Sequence, residues 1–134
     1  MKTFEVQSVE IEAPAAVVFD YLARPETLPE WTLAFRDVRG SRAVLVTPSG
    51  SVEVELRVES APAQGSVDWF MRFPDGSLAR AYSRVVPGAE MRSIYSFVLL
   101  APPVPLERLE GALAEQSQTL AGELQALRRH FART

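Results

Sequence analysis

The dominant pattern in this chain is an alternation of apolar and polar residues with period two, which begins at Phe35 and continues to about residue 100. Such alternation is typical of β-strands that bury one face. Its clearest example is the segment 52–58, in which aliphatic residues alternate with charged ones. Turn residues separate successive segments, for example at Gly40, Gly65 and Pro74. We therefore predict about six strands after Phe35 that pair as an antiparallel meander.

The first part of the chain predicts one strand followed by two short helices. The segment Thr3 to Glu12 alternates, but its phase slips once near Ser8, and this predicts a β-bulge. Pro14 ends the strand and suits the first turn of a helix, after which apolar residues recur at helical spacing. Pro25 ends that helix. Residues 26–31 are expected to form a second, shorter helical turn.

A long C-terminal helix is predicted from Pro105 to Phe131. Polar Gln116 and Ser117 interrupt its apolar stripe near the middle, between Gly111 and Gly122. At 1.5 Å per residue such a helix is roughly 40 Å long, so only a broad apolar surface can cover its stripe. The apolar residues of the stripe are Leu106, Leu109, Leu113, Leu120, Leu124, Leu127 and Phe131.

The order of these elements limits how their apolar faces can be covered. We predict an α+β fold in which a curved, mostly antiparallel sheet of six to seven strands wraps around the C-terminal helix, with element order β-α-α, five or six strands, then α. One phase of the strand 78–86 offers Ala79, Ala81 and Ser83. Small residues there leave space between sheet and helix, and this predicts a pocket for a small, largely apolar molecule.

Composition and charge narrow the classes of function. The chain has 134 residues, of which 47% are hydrophobic and 23% charged, so residues 1–134 are expected to form a single domain. A net charge of −3 offers no basic surface for nucleic acid. The absence of cysteine excludes thiol catalysis and disulfides. Because no apolar run is long enough for a membrane span or a secretory signal, we expect no membrane insertion and a cytoplasmic protein, monomeric or weakly dimeric.

Five stretches of the chain resemble a known family. They are VEIEAPAAVVFDYLARPETLPEW, VTPSGSVEVELRVES, VDWFMRFPDG, RVVPG and the leucine-striped terminal helix. Together they resemble the SRPBCC superfamily, also called START-like or Bet v 1-like, and its bacterial polyketide cyclase/dehydrase-like subgroup. The most specific part is Ile11 to Trp31. The resemblance implies a helix-grip fold with a deep hydrophobic cavity, and roles from lipid or hormone binding to aromatase/cyclase chemistry.

Aromatic residues dominate the predicted ligand-binding set. Trp31 is expected at the cavity mouth, where its indole can meet an apolar molecule and still donate its N–H, although it could equally seal the end of the sheet. Trp69 lies in the inward phase of its strand and can point to the centre of the cavity. The full set is Trp31, Phe35, Trp69, Tyr95, Phe97, Leu113, Gln116, Ser117 and Leu120.

Arg80, Tyr82 and Arg84 share one face of the strand 78–86, and the pattern leaves open which face that is. If the face is inward, the two guanidinium groups and the phenol form a polar floor that can bind a carboxylate or polarise a carbonyl. The outward arrangement is favoured, because two unpaired buried arginines are costly and Glu53, Glu55 and Asp68 offer exposed partners.

The remaining ionisable residues give little support to catalysis or to metal binding. His130 lies in the last helical turn beside arginines, where a cation suits the helix dipole, so we interpret it as structural and solvated. Glu107, Glu115 and Glu123 belong to the charged flank of the helix and are expected to be solvated. No metal-ligand spacing and no nucleotide-binding motif occurs, so we expect no metal and no cofactor.

Three hypotheses about function follow. The preferred one is a binding module for a small hydrophobic molecule, lipid-like, polyketide-like or aromatic, held between the sheet and the C-terminal helix. The second is a polyketide cyclase, aromatase or dehydratase, which requires ionisable groups inside the pocket. The third is a non-enzymatic protein-interaction domain, which requires a filled core and an exposed apolar patch.

Overall fold

A computed structural model describes residues 2–47, 50–101 and 109–132 of the chain. Within these ranges, seven strands form one antiparallel, curved sheet in the order β1-β7-β6-β5-β4-β3-β2. Six of the seven follow one another in sequence, as alternating segments joined by short turns predict. The strands are β1 (Phe4–Ile11), β2 (Phe35–Arg39), β3 (Arg42–Thr47), β4 (Gly50–Ala61), β5 (Ser66–Arg72), β6 (Leu78–Pro87) and β7 (Ser93–Leu100).

Three α-helices lie in the described part of the chain. Helix α1 (Ala15–Leu22) follows Pro14, and a 3₁₀ turn (Pro25–Thr27) leads into the single turn of α2 (Leu28–Trp31). Helix α3 (Leu109–His130) is about 33 Å long. The predicted α+β architecture and element order are confirmed. The predicted first turn of the long helix, with Leu106 and Glu107, lies outside the described residues.

Strand β1 contains no bulge, and that expectation was wrong. Every residue from Phe4 to Ile11 pairs with β7 in unbroken register. The slip in the pattern has another cause: Phe4 and Val6 are apolar residues on the outer face of the sheet, 48% and 54% exposed, whereas Val9 and Ile11 are buried on the inner face. The apolar residues change face while the strand remains regular.

The core lies between the inner face of the sheet and the helices. Helix α3 contributes Leu120, Leu124 and Leu127, which are at most 3% exposed. Helix α1 contributes Val18 and Leu22 to the same cluster. Amphipathic spacing in both helices therefore turns one stripe of each toward the sheet.

Candidate functional site

Four aromatic rings from three elements form a continuous array on the inner side of the sheet. Trp31 at the end of α2 meets Tyr95 of β7 edge to face, with ring centroids 6.4 Å apart. Tyr95 meets Phe97 at 6.3 Å, also edge to face. Phe97 stacks on Trp69 of β5 at 5.7 Å. All four side chains are buried. The structure thus brings together four of the predicted site residues, because β7 carries two of them in the same inward phase.

Four polar side-chain atoms in this interior have no hydrogen-bond partner among the described residues. They are Trp31 Nε1, Trp69 Nε1, the Tyr95 hydroxyl and Ser93 Oγ. A buried donor or acceptor without a partner costs about 1–3 kcal/mol relative to a satisfied one. Three of the four belong to the aromatic array. Such a group of unpartnered atoms in a folded protein calls for an explanation, such as bound water or a bound molecule.

Tyr95 is completely buried, and its phenol is held in the neutral form. Burial raises the pKa of Tyr95 far above its usual value, and the nearby Ser83 hydroxyl lowers it only in part. The Ser83 hydroxyl is itself committed, because it donates to the carbonyl oxygen of Val67 at 2.5 Å. The Ser83 hydroxyl is near enough to affect the pKa of Tyr95, but no hydrogen bond of good geometry joins the two groups. The phenol therefore keeps its proton available for donation.

The two faces of strand β6 carry different kinds of side chain. Ala81, Ser83 and Val85 point inward and are buried. Arg80 and Arg84 are exposed on the outer face, where the third member of the predicted polar floor, Tyr82, packs on Phe70 with centroids 6.1 Å apart. The outward arrangement that desolvation favours is the one adopted, so Arg80, Tyr82 and Arg84 form no floor inside the fold.

Helix α3 positions its predicted site residues on two different sides. Leu113 and Leu120 are buried, whereas Gln116 is exposed and faces away from the interior. Ser117 takes the position on the stripe instead. Its carbonyl oxygen and its Oγ accept hydrogen bonds from Gln7 Nε2 at 2.7 and 2.8 Å. The polar break in the stripe therefore ties the helix to edge strand β1.

Phe35, at the start of β2, is half-buried and packs against the core cluster. It has no ring contact with the aromatic array among the contacts of the described residues. Its backbone N–H donates to Thr32 Oγ1 at 3.2 Å. Phe35 thus lies near the end of α2, at the margin of the site.

Glu123 on α3 is buried, and the expectation that it is solvated was wrong. One carboxylate oxygen, Oε2, accepts hydrogen bonds from the backbone N–H groups of Leu33 at 2.7 Å and Ala34 at 3.1 Å. Burial raises the pKa of Glu123, and the two N–H groups lower it in part. Its spacing of three from Leu120 and four from Leu127 was the available signal, because it places Glu123 at the border of the buried stripe.

Two further titratable side chains that the sequence singled out, His130 and Glu115, lie outside the interior. His130 is exposed and stacks on Tyr21, with ring centroids 4.4 Å apart. Glu115 is exposed on the outer side of α3. Across the described ranges, no group of three or more His, Cys, Asp or Glu side chains is arranged to hold a metal ion. No helix in the described part of the chain is long and apolar enough to cross a membrane.

A surface groove of about 320 Å³ lies on another part of the molecule. It runs between α1, the turn that joins β4 to β5, and the end of β6. Its walls include Phe19, Asp20 and Arg84, so charged and apolar groups mix there. Of the predicted site residues it shares only Arg84, and it is separate from the aromatic array.

No protein-family model and no curated protein sequence matches the chain. Several solved structures share its fold. Protein XoxI from Bacillus cereus is 17% identical with a TM-score of 0.72, over 97% of this chain and 96% of its own. A START superfamily protein from Mycobacterium smegmatis is 14% identical with a TM-score of 0.67, over 98% and 100% of the two chains.

The Zhui aromatase/cyclase from Streptomyces sp. R1128 has a TM-score of 0.68 at 12% identity, over 95% of this chain and 92% of its own. Identities this low show a shared fold and no more. The seven-stranded curved sheet and the long terminal helix agree with that similarity. The chain has the START-like fold that its resemblance to the SRPBCC superfamily and its polyketide cyclase-like subgroup implied.

Proposed function

We propose that this protein binds a small hydrophobic molecule in the interior between the sheet and α3. The observation that carries the proposal is the aromatic array, whose buried polar atoms have no partners among the described residues. A core that served packing alone would gain stability from phenylalanine or leucine at these positions, because an unpartnered indole N–H or phenol is costly. The START-like fold of the solved relatives supports the same conclusion.

Binding requires one of the rings to move, because the four side chains pack against one another. Trp31 is the ring best placed to do so. It lies at the end of a helix of four residues that is not part of the sheet, although the segment after it is held to α3 by the two hydrogen bonds to Glu123. The other three rings lie on central strands whose backbone is fixed by neighbours on both sides. We therefore place the entrance at the end of α2.

Native mass spectrometry of protein purified from its own host tests the proposal. We expect a retained small molecule that is lost under denaturing conditions. The two tryptophans of the chain are both in the array, so their intrinsic fluorescence reports binding without a label. Bare protein mass, together with unchanged tryptophan fluorescence across a panel of apolar compounds, would contradict the proposal.

Two adjacent substitutions provide a matched pair. Ala79→Leu adds volume on the inner face of β6, whereas Arg80→Leu adds an apolar side chain on the outer face. We expect Ala79→Leu to reduce the retained molecule by at least about half, because the added side chain competes for the same space. Arg80→Leu should retain as much as the wild type. Equal retention by both variants would place the bound molecule elsewhere.

The cyclase hypothesis has less support from the geometry. Proton abstraction needs a base inside the site. Among the described residues, the buried charged side chain is Glu123, and its Oε2 already accepts two backbone hydrogen bonds. Tyr95 can donate a hydrogen bond, but its strongly raised pKa keeps it neutral, so the phenolate that could act as a base does not form at neutral pH. Binding without chemical turnover is the simpler proposal.

A second candidate is a protein-interaction domain, which the outer face of β1 favours. Phe4 and Val6 are about half exposed there and lie opposite Leu100 and Val98 of β7. A second copy of the chain could cover this patch in a weak homodimer. Sedimentation of wild type and Val6→Lys tests this, since the charge should abolish any dimer. Separately, we propose a cytoplasmic location, as the sequence led us to expect.

A further inference from the structure

The unpartnered atoms of the aromatic array differ in what they can offer. An indole N–H is a donor only, and a neutral phenol can donate or accept. Trp31 and Trp69 therefore present two donors that only an acceptor can satisfy. The Tyr95 hydroxyl can supply a third. A pure hydrocarbon bound beside them would leave all three without partners.

The residues that surround the array favour a neutral ligand over a charged one. Among the described buried residues, Thr27, Ser83, Ser93 and Glu123 are the polar ones, and only Glu123 is charged. No lysine, arginine or histidine in the described ranges is buried, so an anion placed there would lack a counter-charge. Glu123 Oε2 already accepts two backbone N–H groups, and burial raises the pKa of this carboxyl and so disfavours its charged form, which makes Glu123 a poor partner for a cation. Burying an unpaired charge is far more costly than burying a neutral polar group.

We infer that the interior site is specific for neutral aromatic or apolar molecules carrying carbonyl-type or ether-type acceptor oxygens, which receive hydrogen bonds from Trp31 Nε1, Trp69 Nε1 and the Tyr95 hydroxyl. This inference rests on the proposed function and makes it more specific. It distinguishes such molecules from fatty acids, which are anionic, and from hydrocarbons, which accept no hydrogen bond. The donors belong to the array on β5, β7 and α2, so the specificity is set by strand phase and by the docking of α2.

Three probes of similar shape separate these classes: acetophenone, which carries a ketone oxygen; isopropylbenzene, which replaces that oxygen by a methyl group; and benzoate, which is an anion. Binding is followed by proton–nitrogen correlation spectra of isotope-labelled protein. The two tryptophans give two indole N–H signals, which Trp31→Phe and Trp69→Phe assign. Trp31 and Trp69 lie at opposite ends of the array, and acetophenone has a single acceptor oxygen. We therefore expect acetophenone to move at least one of the two signals downfield and isopropylbenzene to move neither downfield. Benzoate should bind about tenfold more weakly than acetophenone at neutral pH.

Variants test the donors one at a time. Tyr95→Phe removes only a hydroxyl without a partner among the described residues, so the protein should still fold. We expect it to lower the ratio of acetophenone affinity to isopropylbenzene affinity about fivefold, the effect of one lost hydrogen bond. Trp69→Phe should lower the same ratio. The matched control is Tyr82→Phe on the outer face of β6, which should leave the ratio unchanged.

Each outcome decides between the inference and its alternatives. If both neutral probes bind and their affinity ratio is the same in all variants, the interior is a binding site whose donors do not select for acceptors. The inference is then wrong, and the proposed function stands. The same holds if benzoate binds best. If acetophenone saturates the protein while the indole signals keep contacts to a fixed water, the donors belong to that water and the inference is overturned. If no probe binds at saturating concentration, the proposed function fails with it.

Discussion

The two faces of the sheet treat their aromatic and polar side chains in opposite ways. On the outer face, Phe70 of β5 has the Arg57 guanidinium 4.6 Å from its ring centroid and the Tyr82 ring edge against it. The outer-face Arg84 also finds a partner, since its Nε donates to the carbonyl oxygen of Gln64 at 2.9 Å. On the inner face, Trp69 is stacked and buried, but its N–H has no partner among the described residues.

This difference shows where the fold retains unfavourable interactions. Solvent satisfies any polar atom on the outer face that lacks a protein partner, so those positions carry no cost. Solvent does not reach the inner face, so its unpartnered indole and hydroxyl groups lower the stability of the ligand-free protein. We therefore expect substitutions on the inner face to change the free energy of unfolding strongly, some of them by raising it. Substitutions at neighbouring positions on the outer face should change it little.

The largest difference is expected between two adjacent residues of β5. Trp69→Ala should lower the free energy of unfolding by about 3–5 kcal/mol, because it removes a buried ring that stacks on Phe97. Phe70→Ala, one residue along and on the outer face, should cost only about 1 kcal/mol, mostly from its contact with Arg57. Urea unfolding of both variants measures the difference. Similar losses would mean that the two faces do not differ as described.

A smaller effect is expected on α3, where a buried and an exposed glutamate can be compared. Glu123→Ala removes the acceptor for the backbone N–H groups of Leu33 and Ala34, and should cost about 2 kcal/mol. Glu115→Ala changes an exposed side chain of the same helix and should stay within about 0.5 kcal/mol of the wild type. Chemical denaturation checks both. A cost at Glu115 equal to that at Glu123 would argue against the buried contact.

The pH dependence of Glu123 has a definite sign. Its pKa is raised above the ordinary value of 4.5, so the folded state binds this proton more tightly than the unfolded chain does. The associated stability is fully present below 4.5 and is lost as the pH rises through the raised pKa. Glu123→Gln does not titrate. Compared with it, the wild type should lose stability as the pH rises above 4.5, and a difference that stays constant with pH would contradict the assignment.

The smallest expected effect is a gain in stability on removal of a buried hydroxyl. Ser93→Ala removes a fully buried hydroxyl that has no partner among the described residues, so the variant should be more stable by up to about 1 kcal/mol. Ser96→Ala, a half-buried position in the other phase of β7, should be near neutral. Thermal unfolding of the two variants compares them. A destabilised Ser93→Ala protein would reveal that a partner, such as an ordered water, satisfies the hydroxyl.

Strand positions were predicted better than helix positions, for a geometric reason. Alternation with period two assigns each residue to one of two faces, so Trp69, Tyr95 and Phe97 could be expected inside from their phase alone. A helix rotates by about 100° per residue, so neighbours such as Gln116 and Ser117 are equally plausible members of a broad stripe. Only the docking of α3 against Gln7 on β1 turns Ser117 inward and leaves Gln116 exposed.

By itself, the sequence determined the order of elements, the phase of strands β4, β5 and β7 and most of the stripe of the long helix, because local periodicity encodes all three. The tertiary structure decided which polar atoms are satisfied. Gln7 and Ser117 are 110 residues apart, and Leu33 and Glu123 are 90 residues apart. Hydrogen bonds between such distant residues leave no local pattern. The buried glutamate and the unpartnered indoles therefore become visible only when the chain is folded.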